Sequence, residues 1–341
     1  MTDIPPIRFG FVRPARLPDD FVDWVRATEE AGSSLLGFGE SQTMWPSPYI
    51  ALTLAAEHTR TSRLGTWVTV PVTRHPTVAA SSIAAVQQLS KGRAFFGIGP
   101  GDSALTNLGL SSVPMAEFEE YATAVRDLCA HRPVTYQGQA LTMHWDTPAV
   151  PLWVAGDGPR MLELAGRIAD GVIVGNGGTP GLVEFARRHI AIGAEAAGRS
   201  IDDIEVWFMV RVHVASTVAA GIADLAFYLA SYANVRFRRA MRDKGVEVTD
   251  DIAARITGFR SEFKPDMAYS NANDYNVRLL DKYRLTEWLA DQFLVTGPTD
   301  RVIARLRELA AAGVRNFAVP QMLPDVRTTT RQVGEVFAAL R

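Results

Sequence analysis

The chain has 341 residues, of which 47 % are hydrophobic and 21 % charged, values typical of an ordinary globular protein. Its formal net charge of −2 gives no electrostatic reason to expect a nucleic acid or an anionic membrane as a partner. The single cysteine, Cys129, excludes an intrachain disulfide framework. No apolar run approaches the ~18 residues of a membrane span, and the N-terminus has no leader pattern, so we expect a cytoplasmic enzyme.

Strand-like apolar runs alternate with amphipathic helical patterns from one end of the chain to the other. The predicted strands are 7–13, 34–40, 64–71, 94–99, 151–156, 171–175, 204–214 and 315–320. The predicted helices are 18–31, 47–60, 76–90, 114–131, 158–169, 180–198 and 299–312. Proline marks several helix starts, and Gly32 and Gly313 follow helix ends.

The number of strand–helix units decides between two architectures. About eight units favour a closed parallel barrel over an open doubly wound sheet, because eight is the number at which a parallel sheet closes. We therefore predict an α/β protein, a single (β/α)8 TIM barrel that occupies 1–341 as one domain. A barrel uses ~250 residues, so the surplus is assigned to a helical insertion after strand seven, at 217–290, that covers the barrel mouth.

Three of the predicted strands end in glycine-rich loops. These loops contain Gly99-Pro100-Gly101-Asp102, Ala155-Gly156-Asp157-Gly158 and Gly175-Asn176-Gly177-Gly178. Strands four, five and six are neighbours in a barrel, and their C-terminal ends share the face that carries the site. Loops without side chains let a ligand approach the backbone and leave N–H groups free for an anion. The sequence therefore predicts a groove for an extended ligand that carries phosphate.

The classical dinucleotide-binding fingerprint does not fit this pattern. It requires Gly-x-Gly-x-x-Gly at the first strand–helix turn, whereas Gly97-x-Gly99-x-Gly101 comes late in the chain. No two histidines stand at metal-ligand spacing with a third ligand, so we predict no metal site. A P-loop and a nucleophile elbow are also missing from the sequence. A phosphate groove without these groups favours chemistry that a cofactor carries out.

Alternation along predicted strand seven assigns its two faces. Val206, Phe208 and Val210 share the face that should meet the outer helices, which leaves Arg211 and His213 pointing into the barrel near the mouth. A structural role for both is equally compatible with the pattern.

Several segments together resemble one family. Gly92-Arg-Ala-Phe-Phe-Gly-Ile-Gly-Pro-Gly-Asp-Ser-Ala104 resembles the fourth strand and loop of the bacterial-luciferase-like superfamily, nearest to its deazaflavin branch, which includes methylenetetrahydromethanopterin reductase. Leu64–Pro76, Pro151–Pro159 and Ala165–Val172 resemble its third, fifth and sixth units. Only 217–290 matches poorly, and in this family that region varies with the substrate.

The resemblance implies a TIM barrel that uses FMN or the deazaflavin coenzyme F420. It implies a non-prolyl cis peptide at Trp67–Val68, which bulges against the ring of the cofactor. The further cofactor-binding residues that it implies are Ser41, Gly99, Pro100, Gly101, Asp102, Ala155, Gly156, Asp157, Gly158 and Gly175. The catalytic residues that it implies are Glu40, Trp45 and Asp102, to which we add His213.

Two positions depart from the family's pattern. Deazaflavin enzymes often carry Asp-His after strand two, where this chain has Glu40-Ser41 with Trp45 retained. A serine cannot supply a proton as a histidine does, so the candidate donors are His75, Asp102 and His213. The loop from Gly175 to Thr179 also lacks the lysine with which the family's sugar-phosphate dehydrogenases hold substrate phosphate, which makes glucose 6-phosphate a poor candidate substrate.

Three functions follow as hypotheses. The leading one is an F420-dependent oxidoreductase that transfers a hydride between the deazaflavin C5 and a small organic substrate, a ketone, imine or activated alkene. The alternative is an FMN-dependent monooxygenase that uses O₂ and reduced flavin from a reductase partner. A second alternative is a non-catalytic flavin-binding protein. The resemblance also implies a homodimer.

Overall fold

The computed structural model describes residues 6–101, 103–146, 148–234, 246, 248–264, 274–323 and 325–340. The strands in this part of the chain are β1 (Arg8–Pro14), β2 (Leu35–Gly39), β3 (Arg63–Thr66), β4 (Ala94–Ile98), β5 (Val134–Tyr136), β6 (Gln139–Leu141), β7 (Leu152–Gly156), β8 (Gly171–Val174), β9 (Glu205–Met209), β10 (Arg211–Val214), β11 (Leu294–Gly297) and β12 (Asn316–Pro320). Eight of them form a closed barrel in the order β1–β12–β9–β8–β7–β4–β3–β2, and every pairing in it is parallel. The predicted TIM barrel is confirmed.

Helices connect these strands and surround the barrel. The described helices are α1 (Phe21–Glu30), α2 (Pro48–His58), α3 (Pro76–Leu89), α4 (Ser103–Thr106), α5 (Met115–Cys129), α6 (Pro159–Ile168), α7 (Pro180–Ala196), α8 (Val218–Asn234), α9 (Asp250–Glu262), α10 (Tyr275–Lys282), α11 (Thr286–Phe293), α12 (Thr299–Ala311) and α13 (Val326–Ala338). A single 3₁₀ turn lies at Ile201–Asp203. Among the described residues, no helix is long and apolar enough to cross a membrane.

The predicted start and stop signals act as expected at several helices. Pro48, Pro76 and Pro159 occupy the first turns of α2, α3 and α6, where a missing N–H breaks no helical hydrogen bond. Gly32 and Gly313 follow α1 and α12 with φ of 85° and 107°, a backbone conformation that favours glycine.

The hydrophobic core has two concentric layers. The inner layer fills the barrel with Val12, Leu35, Phe95, Trp153, Ile173, Trp207 and Ala318. In it, the rings of Phe95 and Trp153 stack with centroids 4.0 Å apart. The outer layer lies between the strands and the helices and holds the opposite face of each strand, for example Phe208 of β9. Alternating strand residues therefore divide between the two layers, as the period of two requires.

Predicted strand seven, 204–214, is wrong as a single strand. The barrel strand β9 ends at Met209, and β10 pairs instead with β11, with Arg211 opposite Leu294 and His213 opposite Thr296. The amide of Val210 still donates to the carbonyl of Ala318 in β12, so the chain leaves the barrel directly after it. Arg211 and His213 consequently lie outside the closed sheet. The partner strand β11 comes from a part of the chain in which no strand was predicted.

The described residues of the predicted insertion at 217–290 are mostly helical, as predicted. Helices α8 to α11 contribute to a hydrophobic cluster that is separate from the two layers of the barrel core. It includes Leu229, Phe259, Leu280 and Leu289. Residues 235–245, 247 and 265–273 of the predicted insertion lie outside the described part. That the insertion covers the mouth stays a prediction.

Helix α13 was not predicted. Its segment is rich in threonine and arginine, yet Phe337 stacks on Phe9 of β1 with ring centroids 4.6 Å apart. Burial of such rings against the barrel compensates for a composition with weak helix propensity.

Cys129 is buried in α5, where burial raises the pKa of its thiol to about 12.

Candidate active site

The three glycine-rich loops meet at one end of the barrel. They follow β4, β7 and β8, which are consecutive neighbours in the closed sheet, as the sequence predicted. The amide of Gly99 donates to the carbonyl of Thr69 at 2.9 Å, which joins the first loop to the segment after β3. Gly101 has a φ of 105°, which other residues rarely adopt. Asp102, predicted to be both catalytic and cofactor-binding, lies outside the described residues.

The segment after β3 bulges towards the first glycine loop. The peptide bond between Trp67 and Val68 is cis, which confirms the expectation drawn from the resemblance. A Cβ atom on Gly99 would lie 2.7 Å from Cγ2 of Val68, so a side chain at Gly99 has no room. Trp67 and Val68 are half-buried, and the Trp67 ring contacts Phe95 in the barrel edge to face. The bulge is therefore seated between the barrel core and the loop.

Glu40 lies at the end of β2 with both carboxylate oxygens engaged. Oε1 accepts from Gln42 at 2.9 Å and from the guanidinium of Arg74, and Oε2 accepts from the hydroxyl of Thr69. The side chain is 1 % exposed. Arg74 also lies over the ring of Tyr49, 5.3 Å from its centroid. Sequence reasoning found Glu40 but neither Thr69 nor Arg74.

Ser41 and Trp45 flank Glu40 along the chain. Ser41 is buried, and its Oγ has no hydrogen-bond partner in the part of the chain that the structure describes. The indole Nε1 of Trp45 donates to the carbonyl of Gly39 at 2.9 Å, which fixes the half-buried ring beside the end of β2. A buried hydroxyl without a partner is unfavourable unless a ligand or water completes it.

Asp157 and Asn176 bring the second and third loops together. The Asn176 amide donates to Oδ2 of Asp157 at 3.2 Å, and a Cβ on Gly175 would lie 2.7 Å from that oxygen. Oδ1 of Asp157 and Oδ1 of Asn176 are buried and have no partner among the described residues. Asn176 was not predicted as a site residue, although a polar residue inside Gly175-Asn-Gly-Gly178 is a usable signal.

A buried cation stands beside this pair. Burial lowers the pKa of Arg211 to about 10, and the nearby Tyr228 and Asp157 act in the opposite direction. The guanidinium lies 5.3 Å from the centroid of the Tyr228 ring on α8. Burial also raises the pKa of Tyr228, whose hydroxyl therefore stays neutral. Residues from β10 and α8 thus contribute charge and aromatic surface near the second loop.

The four remaining predicted cofactor residues occupy four different environments. Ala155 packs against the inner core of the barrel, and Gly156 lies under Met161 of α6. Gly158 is the N-cap of α6 and has open space around it. Pro100 follows Gly99 at the surface of the first loop, half-buried.

The two predicted histidine donors both have partners. Nε2 of His213 lies 2.8 Å from a carboxylate oxygen of Asp224 on α8. Since β10 is not part of the closed barrel, the expected position of His213 in the barrel interior is wrong. Nδ1 of His75 lies 2.8 Å from the hydroxyl of Thr77, and His75 is the N-cap of α3. Catalytic roles for Glu40, Trp45, Asp102 and His213 stay predictions.

The fold agrees with what comparison of the chain with known proteins finds. A family model described as luciferase-like monooxygenase matches residues 7–316. The chain belongs to this family, which confirms the resemblance.

Individual relatives narrow the position within the family. The 5,10-methylenetetrahydromethanopterin reductase of Methanolobus tindarius is 31 % identical over 299 residues, which cover 84 % of this chain and 86 % of the relative. The F420-dependent glucose-6-phosphate dehydrogenase of Nakamurella multipartita is 30 % identical over 254 residues, which cover 66 % and 73 %. The structure of the coenzyme F420-dependent tetrahydromethanopterin reductase from Methanopyrus kandleri superposes with a TM-score of 0.81 at 24 % identity, with 99 % of each chain covered.

Proposed function

We propose that this protein is an F420-dependent oxidoreductase that transfers a hydride between C5 of the deazaflavin and a small organic substrate. The observation that carries the proposal is the similarity to a reductase, over 86 % of its length, and to a dehydrogenase whose name gives a different substrate. The dehydrogenase and the reductase of known structure are both named as dependent on F420. A shared cofactor with different substrates is expected when the barrel binds the cofactor and the variable region selects the substrate.

The residues at the mouth fit a flat ring with a hydroxylated, phosphate-bearing tail. The half-buried Trp67 and Val68 and the bare backbone at Gly99 offer a surface for the ring. Oδ1 of Asp157 and Oδ1 of Asn176 are acceptors that lack donors among the described residues, and the hydroxyl groups of such a tail are donors. We assign the ring to the surface formed by Trp67, Val68 and Gly99, and the tail to the loops after β7 and β8.

When bound, the deazaflavin supplies a two-electron acceptor or donor of hydride at C5. The protein's part is to bind and orient. The indole of Trp45, held by the carbonyl of Gly39, is placed to limit where a substrate can lie. Reduction of a ketone or imine also requires a proton, and Asp102, which lies outside the described residues, stays a candidate donor.

The substrate class stays broad in this proposal, as a ketone, imine or activated alkene. Glucose 6-phosphate is not proposed, because the loop from Gly175 to Thr179 contains no lysine. A homodimer and a location in the cytoplasm complete the proposal.

The first test is titration of the purified protein with F420 and with FMN, followed by tryptophan fluorescence. We expect F420 to bind tightly and FMN weakly, with a change in emission that the W67F variant loses. The matched control is W145F, because Trp145 is exposed and is not one of the predicted cofactor contacts. Tight binding of FMN alone would replace the proposal by an FMN-dependent monooxygenase, and binding of neither would overturn it.

A further inference from the structure

We infer that Glu40 is a positioning residue, which acts with Thr69 and Arg74 to hold the Trp67–Val68 bulge against the first glycine loop and thereby sets the affinity for the deazaflavin. The inference rests on the proposed function and deepens it. It also changes the role that the resemblance implied for Glu40, since a positioning residue need not touch the reacting atoms.

Both carboxylate oxygens of Glu40 already accept hydrogen bonds from the protein. Arg74 and Gln42 donate to Oε1, and Thr69 donates to Oε2, all from within the described residues. The side chain is almost completely buried. A carboxylate that exchanges a proton with a ligand needs an oxygen within hydrogen-bond reach of that ligand. Here both oxygens are used to hold other parts of the protein.

Thr69 transmits this anchoring to the bulge and to the loop. Its backbone amide donates to Gly97 at 3.0 Å, and its carbonyl accepts from Gly99 at 2.9 Å. Its side chain is bonded to Glu40. Thr69 therefore joins the end of β2, the segment after β3 and the loop after β4. Val68, the preceding residue, is the one whose side chain presses on Gly99.

Arg74 fixes the other end of the carboxylate. Its guanidinium extends from the loop before α3 and lies over the ring of Tyr49 in α2, so the barrel's outer helices determine its position. Removing one partner of a buried ion pair leaves an uncompensated charge, which must reorganise its surroundings. Loss of Arg74 should therefore move Glu40, and through Thr69 the bulge.

A second carboxylate provides the matched control. Glu29 accepts hydrogen bonds from the backbone amides of Arg60, Thr61 and Ser62, which precede β3. Glu29 thus anchors the start of β3 in the same way that Glu40 anchors the segment after its end. Of the two carboxylates, only Glu40 lies at the mouth of the barrel.

The experiment compares conservative and disruptive variants at the two partners of Glu40. We expect T69V and R74M to raise the Kd for F420 about tenfold or more, because T69V leaves Oε2 without its donor and R74M removes the cation that pairs with Oε1. T69S and R74K keep a donor and should stay within about threefold of the wild type. E40Q should weaken binding and also change the absorption spectrum of bound F420. E29Q should lower the Tm and leave the Kd within about twofold.

The outcomes separate this inference from the function on which it rests. If the wild type does not bind F420, the proposed function fails, and the inference with it. If the wild type binds and T69V and R74M bind equally well, the inference alone is wrong. E40Q that binds normally with an unchanged spectrum but loses turnover would show Glu40 to be a catalytic residue instead. Should R74M fail to fold, the pair T69V and T69S decides.

Discussion

The two ends of the barrel differ in how completely their buried polar side chains are paired. At the floor, where the strands begin, Glu205 accepts hydrogen bonds from Arg63 and from the indole of Trp207. Glu205 also forms an ion pair with Arg8 at 3.0 Å. Asn316 accepts a hydrogen bond from Arg8 and donates one to the carbonyl of Val206. At the mouth, where the strands end, buried oxygens of Ser41, Asp157 and Asn176 have no partner among the described residues.

This contrast separates stability from binding. Buried polar groups are almost always paired, so the paired floor is what folding alone would produce. We expect a ligand that completes the unpaired polar atoms at the mouth to gain affinity from them. Sites in TIM barrels lie at this same C-terminal end. Changes at the mouth should therefore alter ligand affinity, and changes at the floor should alter the free energy of unfolding.

The largest expected effect is at the mouth. G99V places a side chain where Cγ2 of Val68 already lies, so we expect F420 binding to weaken by about 100-fold or more, measured by fluorescence titration. The control is G198A, at a turn with φ of 70° and open space around it, which should cost about 1 kcal/mol of stability without affecting affinity. Normal F420 binding by G99V would break the comparison.

The next effect is at the floor. E205A leaves Arg8 and Arg63 without their carboxylate and should lower the free energy of unfolding by about 2–3 kcal/mol in urea denaturation. The Kd for F420 should not change. E119A, which removes a more exposed pair with Arg167, serves as the control and should cost under about 1 kcal/mol. Equal losses in both variants would contradict the structural role of Glu205.

A smaller effect depends on pH. Burial opposes ionisation of Glu29, but the amides of Thr61, Ser62 and Arg60 outweigh it and hold its pKa at about 2. A carboxyl whose pKa is lower in the folded state stabilises the protein above its unfolded pKa of ~4.3 and loses this contribution as the pH falls towards 2. The difference in unfolding free energy between wild type and E29Q should therefore shrink from pH 6 to pH 3. A difference independent of pH would exclude this explanation.

The smallest effect is at Ser41. S41A removes a buried hydroxyl that has no partner among the described residues, so the free energy of unfolding should change by under about 0.5 kcal/mol or rise slightly. The Kd for F420 should increase by about threefold to tenfold if a ligand completes this hydroxyl. Thermal unfolding and titration of the same preparation measure both quantities. If S41A loses stability and keeps its affinity for F420, Ser41 stabilises the fold, as the floor residues do, and does not bind the ligand.

Much of the barrel could be predicted from local patterns. Each barrel strand overlaps a predicted apolar run, and β1 and β3 extend beyond theirs by one residue, because alternation of strand and helix leaves a periodic trace of burial in the sequence. The neighbouring glycine loops followed from strand order alone, since the order of a parallel barrel is the order of the chain. The cis peptide and the family came from resemblance to known proteins.

The partners of the site residues could not be predicted in this way. Whether Arg211 belongs to the barrel depends on β11, which lies more than 80 residues later and takes β10 into a separate sheet. Glu40 meets Thr69 and Arg74 only because β2 and β3 are adjacent in space. The sequence by itself determined the architecture and predicted the end of the barrel that carries the site, because periodic burial and bare loops are local properties. Only the tertiary structure decided which polar atoms have a hydrogen-bond partner among the described residues and which have none, because hydrogen bonding depends on distances between residues that are remote along the chain.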